Sequence, residues 1–152
     1  MLKEMAITSL LYAGYLLGKK AYDQTQDQAD YMARTMYGEA RGEGEKGMQA
    51  VGNVIMNRVK AGGWYGASIK DVCLKPKQFS CWNENDPNRK IILNATDAQL
   101  KQARTIAGQV IAGVLPDITG GATHYYANTI SAPKWAASMK KTATIGNHIF
   151  YA

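Results

Sequence analysis

Cysteine and histidine are scarce: each occurs twice in 152 residues. Cys73 and Cys81 make no disulfide framework and no CxxC-type ligand pair, and no HxxxH pair accompanies them. The two thiols read as free, and neither a metal site nor a cofactor is expected. Repeats and low-complexity segments are lacking. The longest mostly apolar stretch, residues 5–18, falls short of the about 20 residues that span a bilayer. Zinc-finger and RNA-binding signatures are missing as well, so the net charge of +6 does not point to nucleic acid. It suits an anionic partner, which a membrane surface or an acidic polymer such as a bacterial envelope would equally be; charge alone does not choose.

What remains is a globular composition, 46% hydrophobic and 20% charged, in a chain long enough for one core. The N-terminus, MLKEMAITSLLYAGYLLGKK, has a cation at Lys3, an apolar middle, then Lys19 and Lys20. It resembles the start of an export signal, yet no A-x-A-like cleavage site follows. Two readings of residues 1–28 stand. One is a helix packed on the domain through Ile7, Leu10, Leu11 and Leu17; the other is a signal-anchor or membrane-associating segment. Residues 29–152 form the main domain.

Ala29, Met32, Ala33, Met36 and Tyr37 repeat at helical spacing, and Gly42 and Gly44 should end that helix. A second helix is expected from about Met48 to Lys60, burying Met48, Val51, Val54, Ile55 and Val59. Ser68 and Asp71 have the spacing of a short capped turn. From there to Asn94 the chain reads as a polar loop with embedded aromatics, a binding surface by composition. Thr96 should cap a third helix reaching about Leu115. THYYA at 123–127 and NHIFYA at 147–152 read as short strands that pair antiparallel. The fold class is α+β: a helical body with a small antiparallel C-terminal sheet.

Residues 36–47, MYGEARGEGEKG, place three glutamates among four glycines. On a helical wheel Glu39 falls at the border of the apolar arc, and Glu45 faces solvent. Arg58, in the second helix, lands on the buried arc, where a lone cation is costly to desolvate. Glu43, in the turn before that helix, is the carboxylate expected to pair with it. Glu39 is then left in a partly apolar cleft without a dedicated cation. Desolvation there favours the proton-bearing form that a glycosidic general acid needs.

YGEARGE, then GMQAVGNVIMNRV, KQFSCW, GATHYY, PKW and TIGNHIFY, in that order, resemble the SleB-type cell wall hydrolase family over residues 29–152. The loop QFSCWNENDPN resembles its phage and Gram-negative branch. The resemblance implies a lysozyme-related single domain with a substrate cleft between helices and sheet. It implies cleavage of the β-1,4 bond between N-acetylmuramic acid and N-acetylglucosamine, usually as a lytic transglycosylase. The first glutamate of the family motif, its catalytic residue, falls on Glu39; the second falls on Glu43. A phage enzyme of this kind would be made in the host cytoplasm and act as a monomer on peptidoglycan in the periplasm. Membrane contact, if any, would run through residues 1–20.

A transglycosylase needs one carboxylate, because the muramic C6 hydroxyl is the nucleophile; a hydrolase would want a second, for which Glu84 and Asp86 are the suggestive extras. Ser80, Phe79 and Trp82 on the loop and Tyr125 and Tyr126 on the first strand are the candidate sugar contacts. Two other classes stay open. A zinc-dependent N-acetylmuramoyl-L-alanine amidase would have to recruit His124, His148 and a cysteine. A non-catalytic wall-binding module would keep the fold alone.

Overall fold

Met32, Ala33 and Met36 are fully buried, as their spacing predicts, but the helix carrying them is far longer than that stripe. The computed structural model describes the backbone of residues 2–152 and the side chains of residues 8–152. In it α1 runs unbroken over Leu2–Ala40, roughly 58 Å at 1.5 Å per residue. The division expected between residues 28 and 29 therefore falls inside a helix. Side chains 8–27 are all exposed, Leu10 at 73%, Leu11 at 71% and Leu17 at 70%. The expected packing of these three leucines on the domain does not form, because the helix projects past the body; the Ile7 side chain lies outside those described. Among the described residues, no helix is long and apolar enough to cross a membrane.

A single 3-10 turn, Arg41–Glu43, separates α1 from α2, Gly44–Ala61. The second helix thus starts four residues before Met48, since Gly44 takes φ +73 and turns the chain at once. Along α2 the expected Met48, Val51, Val54 and Ile55 are buried, and so is Arg58. Ser68 caps α3, Ile69–Leu74, by accepting the Asp71 N–H. Residues 75–94, expected as a loop, hold a 3-10 turn at Ser80–Trp82 and a helix α4 at Pro87–Asn94. Asp86 caps α4 by accepting the Asn88 N–H, and Pro87 supplies a ready-made first-turn φ. Helix α5, Asp97–Ile111, begins in a reciprocal Thr96–Gln99 capping box and stops short of Leu115, with Gly113 at φ +73 just beyond it.

Helices α1, α2 and α5 pack on one another, and α3 and α4 lie against α1. Met32, Met36, Val51, Val54, Ile55 and Ala107 are fully buried in the core they share. The sheet has three strands, one more than expected: β1 (His124–Ala127), β2 (Lys141–Ile145) and β3 (His148–Tyr151). Their order is β1-β3-β2, antiparallel throughout, so the expected pairing of 123–127 with 147–152 forms the β1–β3 ladder. Gly146, at φ +56, opens the two-residue hairpin between β2 and β3. Phe150 of β3 is buried against the helical body, which fixes the sheet beside the end of α1.

Candidate active site

Three elements meet at the last turn of α1: the Ser80–Trp82 turn, strand β1 and the helix end itself. They bring Glu39 together with Ser80 and Tyr125. Glu39 is half-buried, and its Oε1 accepts the Cys81 backbone N–H at 3.0 Å and the Ser80 hydroxyl at 3.4 Å. Its Oε2 accepts the Tyr125 hydroxyl at 3.1 Å. Among the described residues it forms no salt bridge. Burial, and then the adjacent Glu39 carboxyl, push the Tyr125 phenol well above its ordinary range, so it stays a donor. The Cys81 N–H is the contact that sequence reading missed, because every residue but proline has one and only the fold aims it. Gly38 was the available signal, since it permits the close approach of α1 to Cys81.

The other candidates scatter. Phe79 is 1% exposed and lies beneath the Arg58 guanidinium, so it is core rather than a sugar contact. Tyr126 follows Tyr125 on β1 and so faces the opposite side of the sheet. There it stacks on Tyr151 and meets Trp135 edge-on. Trp82 donates its indole N–H to the Thr35 hydroxyl and packs its ring on Tyr31, one step along the turn from Glu39's partners. Of the suggestive extra acids, Asp86 is engaged in the α4 cap and Glu84 is exposed.

The expected Glu43–Arg58 ion pair does not form. Glu43 precedes α2 and Arg58 sits near its end; fifteen helical residues separate them by roughly 22 Å. Glu43 instead accepts the Asn147 N–H and the Asn147 side-chain amide, both at 3.1 Å, and pins the β2–β3 hairpin to the end of α1. The backbone N–H of Asn147, then its amide and the nearby His148, hold the Glu43 carboxyl below its ordinary range against a smaller effect of burial. Arg58 is 5% exposed. Its Nε donates to the Thr123 carbonyl at 2.8 Å, and its guanidinium lies over the rings of Phe79 and Tyr65. Burial lowers its pKa, while the nearby Tyr125, Tyr65, Cys73 and Glu39 oppose that.

The histidines cannot share a metal ion. Strand register sets His124 opposite Tyr151 and His148 opposite Ala127, three residues or about 10 Å apart along the ladder. His148 packs on Tyr125, and its buried Nδ1 has no hydrogen-bond partner among the described residues. His124 shares a hydrogen bond with Thr123. Both cysteines are free and buried. Burial pushes the Cys73 thiol up to about 12 and raises Cys81 further, so neither presents a thiolate.

A helical body, a three-stranded sheet and a half-buried carboxylate where they meet define a lysozyme-related α+β domain. The chain belongs to the Cell Wall Hydrolase family, whose model matches residues 42–151 and so begins just after Glu39. It is 27% identical over 133 residues to a spore cortex-lytic enzyme of Bacillus cereus, a match covering 83% of this chain and 44% of that protein. The chain spans less than half the length of that relative. Two solved structures are similar at 28% identity and a TM-score of 0.64. The catalytic domain of the Bacillus cereus SleB protein is matched over 84% of this chain and 91% of that one. The catalytic domain of the germination-specific lytic transglycosylase SleB from Bacillus anthracis is matched over 84% and 95%.

Proposed function

We propose that this protein cleaves peptidoglycan between N-acetylmuramic acid and N-acetylglucosamine as a lytic transglycosylase, with Glu39 as its single general acid and base. The carrying observation is the Glu39 carboxyl itself: half-buried, in no salt bridge among the described residues, and oriented by three donors on two other elements. The similarity to a germination-specific lytic transglycosylase supports the same bond and the same outcome.

The donors assign the proton. A backbone N–H can only donate, so Oε1, which accepts from Cys81, stays an acceptor. When Glu39 carries its proton, Oε2 is the oxygen left to hold it, and the Tyr125 hydroxyl, which donates to the carboxylate, then turns its own hydrogen away. Glu39 gives this proton to the glycosidic oxygen as the C1–O bond breaks and positive charge develops at C1. The resulting carboxylate then takes the proton of the muramic C6 hydroxyl, whose oxygen attacks C1 and closes a 1,6-anhydro ring. Ser80 and Tyr125 hold the carboxyl and line the cleft.

The enzyme belongs to the phage and Gram-negative branch, on the QFSCWNENDPN loop. It serves bacterial lysis by a phage and acts as a monomer in the periplasm after synthesis in the host cytoplasm. Residues 1–20 contact the membrane: Leu10, Leu11, Tyr12, Tyr15 and Leu17 are exposed on the projecting part of α1, with Lys19 and Lys20 following. Flotation with anionic phospholipid vesicles tests this, and Leu11→Asp with Leu17→Asp should abolish it.

Mass spectrometry of digested sacculi decides the reaction. Anhydromuramic ends are expected from the parent protein and none from Glu39→Gln. Reducing muramic ends would make the enzyme a hydrolase, and freed stem peptides an amidase.

A further inference from the structure

A cavity of about 800 Å³ opens on the far side of the turn that carries Ser80 and Cys81. Its walls come from α1, the segment after α3, the Ser80–Trp82 turn and α4, with Tyr31 and Trp82 forming an aromatic floor. Its charges are unevenly satisfied. Asp30 is bound by Arg34 and Arg104. Arg89 is different: among the described residues it joins no salt bridge, and its buried Nε has no hydrogen-bond partner. Lys77, at the rim, is exposed and held at φ +64, a backbone region that non-glycine residues rarely adopt. The acids Asp27 and Glu84 complete the lining. A guanidinium that lines the cavity without a carboxylate partner is free to meet an anion there.

We infer that this cavity binds the peptide branch of the glycan strand, with Arg89 and Lys77 receiving its carboxylates and Asp27 and Glu84 its amine. The inference rests on the glycan-cleaving reading above and adds a second recognition element to it. Charge selects the occupant: neutral sugars would leave Arg89 and Lys77 unanswered, whereas a peptide containing a diamino acid offers carboxylate and ammonium together. Reach agrees. Arg34 and Asp27 precede Glu39 on α1 by five and twelve residues, roughly 8 and 18 Å. A branch of three to five residues, at up to about 3.5 Å each, reaches roughly 10 to 18 Å from a muramic acid seated at Glu39, past Arg34 and, at its longest, to about Asp27. The Ser80–Trp82 turn joins the two places, with Ser80 and Cys81 on the carboxyl and Trp82 on the cavity.

The test compares kcat/KM on peptide-bearing strands with that on strands stripped by an amidase. The parent protein should prefer peptide-bearing strands, and Arg89→Gln should reduce the ratio roughly tenfold. Lys77→Gln, a surface change that leaves folding intact, should lower it in the same direction. Independently of turnover, a soluble diaminopimelate-containing stem peptide should shift the Trp82 indole N–H signal saturably in Glu39→Gln. The shift should be lost when Arg89→Gln is added. Equal turnover of both substrates by the parent protein, or no saturable shift, overturns the inference while the glycan-cleaving reading stands. Failure to cleave either substrate, with the shift still present, sinks that reading instead and leaves a peptide-binding cavity.

Discussion

Gly38 packs directly against Cys81: a Cβ added at Gly38 would lie 2.6 Å from the Cys81 Cβ and 2.9 Å from the Ile92 Cγ2. Neither atom is the far end of a flexible side chain, so Gly38→Ala must push α1 and the Ser80–Trp82 turn apart. Overpacking of this kind costs about 1–3 kcal/mol. The same shift draws the Cys81 N–H away from Glu39 in the adjacent position. Activity should then fall by about 10²-fold, the scale for a misplacement near 1 Å. Urea unfolding and turnover measured on one preparation check both effects; a destabilised variant with full activity would detach the glycine from catalysis.

Tyr125→Phe isolates one hydroxyl. The ring still packs on His148 and Phe150, so stability should fall by only about 1 kcal/mol. The carboxyl loses its contact at Oε2, the oxygen assigned the mobile proton. Hydrogen bonds to charged groups are worth about 1.5–3 kcal/mol, which predicts a loss in kcat of roughly ten- to hundredfold with KM little changed. Steady-state kinetics on a soluble glycan strand separate the two constants. A rise in KM alone would recast Tyr125 as a substrate contact.

Glu43 sets a pH dependence whose sign follows from its environment. Its carboxyl is held below the ordinary range in the folded protein, chiefly by the Asn147 N–H. The stabilisation is therefore complete above the unfolded value and is lost as pH falls through the folded one. Glu43→Gln removes the titration, so the stability gap between parent and variant should shrink on acidification below the ordinary glutamate range. Because the site is partly solvated, the gap at neutral pH should be about 1 kcal/mol or less. Thermal melts across that acid range read it directly, and a gap that widens instead would mean the Asn147 contacts do not favour the carboxylate.

Periodicity and capping chemistry make much of this architecture legible in the sequence. The Met32–Met36 stripe, the Ser68 and Thr96 caps and the pairing of β1 with β3 all depend on local rules, and all form. What escaped depended on distance in space. Helix α4 was hidden because its polar residues, Asn88 and Lys90 among them, read as loop and Ile92 alone is fully buried. The unexpected strand β2, KTATI, carries too little apolar alternation to stand out. A wheel measures angle and ignores rise, so it recognised that Arg58 is buried and still paired it with a glutamate most of a helix away. For Glu39 the helix-edge position was readable, while the hydrogen bond from Tyr125, 86 residues on, was not: Tyr125 stood out only as a sugar contact.

Arg58 offers the sharpest comparison of buried charge. Its guanidinium lies between rings, 4.9 Å from the Phe79 centroid and 5.4 Å from that of Tyr65, with no carboxylate in a salt bridge among the described residues. A flat, weakly hydrated cation suits that slot, and an ammonium does not. Arg58→Lys would bury a strongly hydrated charge and lose the Nε contact to the Thr123 carbonyl. Arg58→Met would lose that contact too, but with no charge to desolvate and a side chain that fills the slot. Lysine, though the closer chemical relative, should be the worse replacement by about 1 kcal/mol or more, with the parent protein above both. Chemical denaturation of the three proteins ranks them. If lysine proved the better replacement, the charge rather than the flat shape of Arg58 would be what this site requires.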